Sequence, residues 1–285
     1  MIKNEKHFMV ELLAAVLKNQ SPGSFISGCD WADVYSEAMR HSVAGMVCYG
    51  LEKLSEENQP AEDLKLQFKQ AKFKGIAKEA AQHVTVINLL KEFDNEGIRV
   101  LPLKEFVVKY AYPMPDMRSV DNVTILIDTI NKAAAKRILV DKGFFSTKAQ
   151  SNLTIYTYNS FTRLEVYDGI LPGQNTFGSY FNHIFDRSIL KEGYRYVYAM
   201  VPENFYLHLV ACMREDYLQH DTDIRSIMDL WVYRRFSKET ADWDMIDKEL
   251  EIMGLKDFEE RCMGLAMSWF DSSRKDVASD EIISL

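Results

Sequence analysis

Between Gly97 and Asp128 the chain reads G-I-R-V-L-P-L-K-E and, seven residues on, Y-P-M-P-D-M-R-S-V-D-N-V-T-I-L-I-D. Lys104 and Arg118 are the cations here that could hold a phosphate. They could equally pair with Glu105, Asp116 or Asp121 as surface salt bridges. Asn122 to Ile127 alternates polar and apolar residues in its first half, a strand signal. Alternation sends Val123, Ile125 and Ile127 to one face, which reads as buried, and Asn122 and Thr124 to the other. Asp121 has Val123 as its same-face neighbour, which cannot bind a metal. Asp121 and Asp128 are seven residues apart, so a regular strand puts them on opposite faces. Elsewhere, Arg225 and Asp229 stand at i, i+4 and are expected to form an ordinary helix pair. His220-Asp221 could begin a phosphohydrolase metal site, but that site needs further His and Asp residues, and the six histidines are scattered. Tyr156, Tyr158, Tyr167, Tyr194, Tyr196 and Tyr198 read as sheet packing. No G-x-S-x-G accompanies any serine.

The elements around this stretch are helix, then sheet, then helix. Phe8, Leu12, Leu13, Val16 and Leu17 have helical spacing. Asp30 is placed to cap a second helix. A long third helix follows Pro60, with Phe68, Ala71, Ile76, Ala80, Val84, Ile87 and Leu90 as its expected core face. Ile98–Leu103, Asn122–Ile127 and Thr162–Tyr167 are expected to be neighbouring strands of one sheet, with Leu153–Tyr158 and Tyr194–Ala199 as further strands. Lys104–Tyr112 reads as a short helix. Ile130–Val140 reads as a longer one, with Gly143 at its C-terminal cap. From Pro202 onward the pattern is helical again, and Asp271–Leu285 is polar enough to fray. The fold class is therefore α+β: a small mixed β-sheet flanked by N-terminal and C-terminal helical regions. The expected segments are 1–95, 96–200 and 201–285.

The ordered set Leu103-Lys104, Tyr112-Pro113, Arg118, Gly143-Phe144 and Glu165 resembles a family of bacterial uncharacterised nucleotidyltransferases. In that family a strand ends in Leu-Lys-Gly, and a helix runs to Tyr-Pro. An Arg precedes an Asp-x-Asp strand, and a later strand carries a third carboxylate. An Arg and an Asp four apart in the helical flank are matched by Arg225 and Asp229. The resemblance implies a nucleotidyltransferase-like domain at 96–200 that would use an NTP and Mg or Mn. Two carboxylates at i and i+2 share a strand face and a metal, and the third orients the acceptor. Lys104 and Arg118 fall where the family meets phosphate. This chain has Asn122 and Thr124 at the Asp-x-Asp positions and Glu105 in place of the glycine; only Glu165 remains of the three carboxylates. The resemblance thus implies impaired or lost nucleotidyl transfer, no resident metal, and nucleotide or anion binding at Lys104 and Arg118. The alternatives are an active transferase moving an NMP group to a protein, RNA or small molecule, and a non-catalytic protein-interaction module.

Composition bounds the partners. The 285 residues carry 42 acidic and 34 basic side chains, a net charge of -8, which argues against a broad nucleic-acid-binding face. No apolar run approaches membrane-spanning length, and Met1–Val10 carries Lys3, Glu5 and Lys6 rather than a signal segment. Cys29, Cys48, Cys212 and Cys262 form no C-x-x-C pair, so reduced thiols and a cytoplasmic location are expected.

Overall fold

The computed structural model describes residues 2–23, 29–169, 171, 178–220 and 223–271. The chain opens with helices α1 (Ile2–Leu17), α2 (Trp31–Arg40), α3 (Ala44–Leu51) and α4 (Glu62–Asn95). Asp30 caps α2, its carboxylate accepting from the Ala32 and Asp33 amides. Glu62 and Asp63 fill the first turn of α4, where the helix dipole favours negative charge. The chain then enters β1 (Val100–Leu103), α5 (Glu105–Val108), β2 (Val123–Ile127), α6 (Lys132–Asp141), β3 (Phe145–Ala149), β4 (Leu153–Thr157) and β5 (Arg163–Asp168). These five strands form one sheet in the order β1-β2-β5-β4-β3. The three strands expected to be neighbours are neighbours: β1 pairs antiparallel with β2, and β2 runs parallel to β5. A separate pair joins β6 (Ser188–Leu190) to β7 (Tyr198–Met200), so the expected strand at 194–199 begins later. Four helices close the described chain: α7 (Pro202–Leu218), α8 (Ile224–Phe236), α9 (Trp243–Ile252) and α10 (Lys256–Phe270). The fold is α+β, a mixed sheet among helices. No described helix is long and apolar enough to cross a membrane. Residues 272–285, where fraying was expected, and Asp221 of the His-Asp dyad lie outside the described residues.

Both faces of the sheet are covered. Val123, Ile125, Ile127, Leu164 and Val166 pack with Phe93 of α4 and Leu139 of α6. Leu101, Leu103 and Leu126, on the opposite face, join the larger core that runs from Phe8 of α1 through Phe205 of α7 to Phe270 of α10. That core draws on all three stretches of chain. The face carrying Thr124 is therefore as buried as the one carrying Val123; Thr124 is 1% exposed. A strand with helices on both sides has no wet face, so alternation separates the two faces without saying that one is solvated.

Helix α4 corrects the sequence reading. Its core face is Phe68, Gln82, Val86, Leu89, Leu90 and Phe93. Ile76 and Val84, expected in that face, are 38% and 59% exposed, and Ala80 is exposed. A helix of 34 residues carries more than one apolar row, and packing chooses between them.

Candidate functional site

The register across the sheet brings the site positions together. Leu103 on β1 lies beside Thr124 on β2, which lies beside Glu165 on β5. Asn122 sits just before β2. Its Nδ2 donates to Glu165 Oε1 at 2.9 Å, and the Thr124 hydroxyl donates to Glu165 Oε2 over a longer 3.5 Å. The three side chains thus converge on one spot, with both carboxylate oxygens of Glu165 facing neutral donors. One formal charge is present where a hard dication takes several oxygen ligands, commonly more than one carboxylate. Among the described residues, no three His, Cys, Asp or Glu side chains gather closely enough to hold a metal ion. This donor set does not fit a resident divalent cation.

Lys104 follows directly from β1. Its backbone takes φ 48 and ψ -131, a positive-φ conformation that costs a side-chain-bearing residue about 1–3 kcal/mol. The turn is tied down because the Lys104 carbonyl accepts from the Val107 and Val108 amides, both at 3.0 Å. The short helix expected at Lys104–Tyr112 is a single α-helical turn, α5, followed by a 3-10 turn at Lys109–Ala111. Burial works against the Lys104 charge. The field of Cys212, Glu105, Asp216 and Tyr167 outweighs it and holds the ammonium above the usual lysine range. Burial also pushes the Cys212 thiol up to about 12, so at neutral pH it is uncharged and the carboxylates do this work. The Tyr167 hydroxyl is raised by burial, with Lys104 and Glu165 both in its field. Lys104 and Glu165 thus both act on the Tyr167 hydroxyl, in opposite directions.

Arg118 is held differently. Its Nε donates to Asp229 Oδ1 and Oδ2 at 2.8 and 3.0 Å, its Nη2 to Oδ2 at 2.8 Å, and its Nη1 to the Ser119 carbonyl at 2.7 Å. The Tyr112 hydroxyl adds a 2.6 Å bond to Asp229 Oδ1. Arg118 is 5% and Asp229 6% exposed. Burial raises the Asp229 carboxyl above its usual value, while Arg118 and Tyr112 pull it back. The expected Arg225–Asp229 helix pair does not form. Arg225 instead contacts Asp223 and, at 3.1 Å, Asp121. The i, i+4 spacing allowed the pair, but Asp229 faces inward to the sheet domain. The Glu105 carboxylate stands 3.7 Å from Arg118 Nη2. Lys104, Glu105, Arg118, Cys212, Asp216 and Asp229 surround a cavity of about 30 Å³, room for ordered water and far from the size of a nucleotide. Asp121 bonds Lys78 at 3.0 Å and Asp116 accepts from Tyr49 at 2.8 Å, so neither is the partner of Arg118.

Over residues 27–271 the chain matches the family described as uncharacterised nucleotidyltransferase. It belongs to that family. No curated protein matches it. Among solved structures it is similar to ANT(2'')-Ia in complex with adenylyl-2''-tobramycin, at 10% identity and a TM-score of 0.45, covering 60% of this chain and 97% of that one. It is also similar to an antigenic nucleotidyltransferase-like protein from Paracoccidioides brasiliensis, at 13% identity and a TM-score of 0.44, covering 67% and 93%.

In this nucleotidyltransferase-family chain the structure unites Asn122, Thr124 and Glu165, and sets Lys104 on the wall of a cavity it shares with Arg118. Arg118 is drawn off to Asp229 and Glu105. Sequence reasoning singled out Tyr112, Arg118 and Asp229, yet missed that they form one cluster. Their bonds span more than a hundred residues, and no local spacing encodes such a pairing. Cys212 and Asp216 of the cavity wall gave no signal beyond belonging to a helix.

Proposed function

We propose that this nucleotidyltransferase-family protein has lost metal-dependent nucleotidyl transfer. The hydrogen bond from Asn122 to Glu165 carries the reading. In a metal site the oxygens of these positions would converge on the ion; here an amide N–H and a hydroxyl aim at the one carboxylate and satisfy it. What remains is anion recognition centred on Lys104, weak because Glu105 and Asp216 compete for the same ammonium, and a nucleotide phosphate would have to widen the cavity of about 30 Å³ beside it. Arg118 reaches a phosphate only if Glu105 swings away, since Asp229 and the Ser119 carbonyl engage its other nitrogens. The free thiols, three of them buried, support a reducing compartment, the cytoplasm.

The test combines label transfer with calorimetry. The chain is incubated with each α-labelled NTP and Mn, with itself, RNA or aminoglycosides as acceptor. The expected outcome is no Mn-dependent incorporation, and nucleotide binding that is indifferent to Mn and lost in Lys104→Ala. Mn-dependent transfer of labelled NMP by the natural chain, absent in Glu165→Gln, would overturn the reading.

A further inference from the structure

Helix α4 presents a second apolar row to water. Leu66, Gln70, Phe73, Ala77, Ala80 and Val84 succeed one another at alternating intervals of four and three residues, and all six are exposed. Leu66 is 55%, Phe73 65% and Val84 59% exposed. An outward helix face ordinarily carries charge. This interval pattern is that of a coiled-coil seam, the row along which a second helix seats its knobs. Phe73 and Leu66 supply bulk, while Ala77 and Ala80 leave room for a facing helix to come close.

The margins of the seam are cationic. From Leu64 to Lys78 there are five lysines (Lys65, Lys69, Lys72, Lys74 and Lys78) and no Asp or Glu, in a chain of net charge -8. Lys65, Lys72 and Lys78 are neutralised by Glu62, Glu52 and Asp121. Lys69 and Lys74 have no carboxylate partner among the described residues. They flank the seam on opposite sides, Lys69 directly before Gln70 and Lys74 directly after Phe73, at the two positions that select a coiled-coil partner by charge. Lys74 also lines a groove of about 380 Å³ among α2, α3, α4 and the loop before β2, where Asp116 and Asp121 are already engaged by Tyr49, Lys78 and Arg225.

We propose that this face of α4 docks an acidic amphipathic helix of another protein, with apolar residues on its seam and glutamates on its margins. A second copy of the chain fits less well. Parallel pairing sets Lys69 against Lys74, and antiparallel pairing about Gly75 sets Lys74 against itself; like charges so placed repel. A membrane surface calls for a broad bulky face, whereas Gln70, Ala77 and Ala80 interrupt this one. The proposal holds whether or not the sheet site transfers nucleotides.

The experiment uses the full chain and a dye-labelled synthetic helix about four heptads long, with Leu on its seam and Glu on its margins, followed by fluorescence anisotropy. Those glutamates also keep the peptide from pairing with itself. A matched peptide carries Lys in place of Glu. The acidic peptide is expected to bind at least about tenfold tighter, a difference of about 1.4 kcal/mol. Phe73→Glu should weaken that binding at least about tenfold with an unchanged far-UV spectrum. The double variant Lys69→Glu, Lys74→Glu should reverse the preference toward the basic peptide. Equal binding of the two peptides, binding of neither, or affinity untouched by Phe73→Glu would overturn the proposal. So would a dimer in sedimentation that Phe73→Glu dissolves, or binding to phosphatidylserine vesicles without binding to the peptide.

Discussion

Two polar clusters lie on the side of the sheet that meets the larger helical core, and they are built in opposite ways. Around Glu165 the partners are neutral and one oxygen contact is long. Around Asp229 every strong donor is in place: a guanidinium that grips both oxygens, and a tyrosine hydroxyl. The first cluster spans the neighbouring strands β2 and β5. The second joins the loop before β2 to helix α8 and so fixes the helical region against the sheet. A buried carboxylate with its counter-ion is costly to break, because removing either partner strands a charge in low dielectric. Glu165, whose hydrogen-bond partners are neutral, has no counter-ion to lose in this way. The Arg118–Asp229 cluster is fully paired, whereas Glu165 meets only neutral donors.

The largest expected effect breaks the comparison at the clasp. Arg118→Ala should lower unfolding stability by about 3–5 kcal/mol in urea titration. The double variant Arg118→Met, Asp229→Leu should recover a substantial part, because no charge is then left unpaired. If Arg118→Ala costs under about 1 kcal/mol, the clasp is not what joins the two regions. An intermediate effect comes from rebuilding the other cluster. Asn122→Asp with Thr124→Asp sets three carboxylates together, so the variant should be less stable than the natural chain in chelator. Mn at a hundredfold above its Kd should return about 2.7 kcal/mol. A Mn-dependent rise in melting temperature of the natural chain equal to the variant's would show that its site is intact. The smallest effect is expected from Glu165→Gln. The amide keeps the shape and can still accept from Asn122, so the change should stay within about 1 kcal/mol. A loss as large as that of Arg118→Ala would make the two clusters alike and end the contrast.

Local chemistry made several features legible. Asp30 capped its helix because a short side-chain oxygen reaches the first free amides whatever the rest of the chain does. Gly143 ended α6 with φ +87, a conformation that needs no side chain. The alternation at Asn122–Ile127 put Asn122 and Thr124 on the Glu165 side, since strand geometry alone fixes which residues share a face. The three-strand order followed from the same patterns and from the resemblance.

Tertiary structure decided what those faces meet. Alternation could not say that the Thr124 face is covered by the helical core. Periodicity in α4 could not say which of its apolar rows is buried, so Val84 was assigned inward and Val86 was overlooked. Arg225 stood at a workable distance from Asp229, but Asp229 found Arg118 instead, 111 residues away. A backbone repeat specifies direction at each residue. The partner in that direction comes from distant chain, and for a charged group desolvation makes the outcome depend on how completely the two parts close over it.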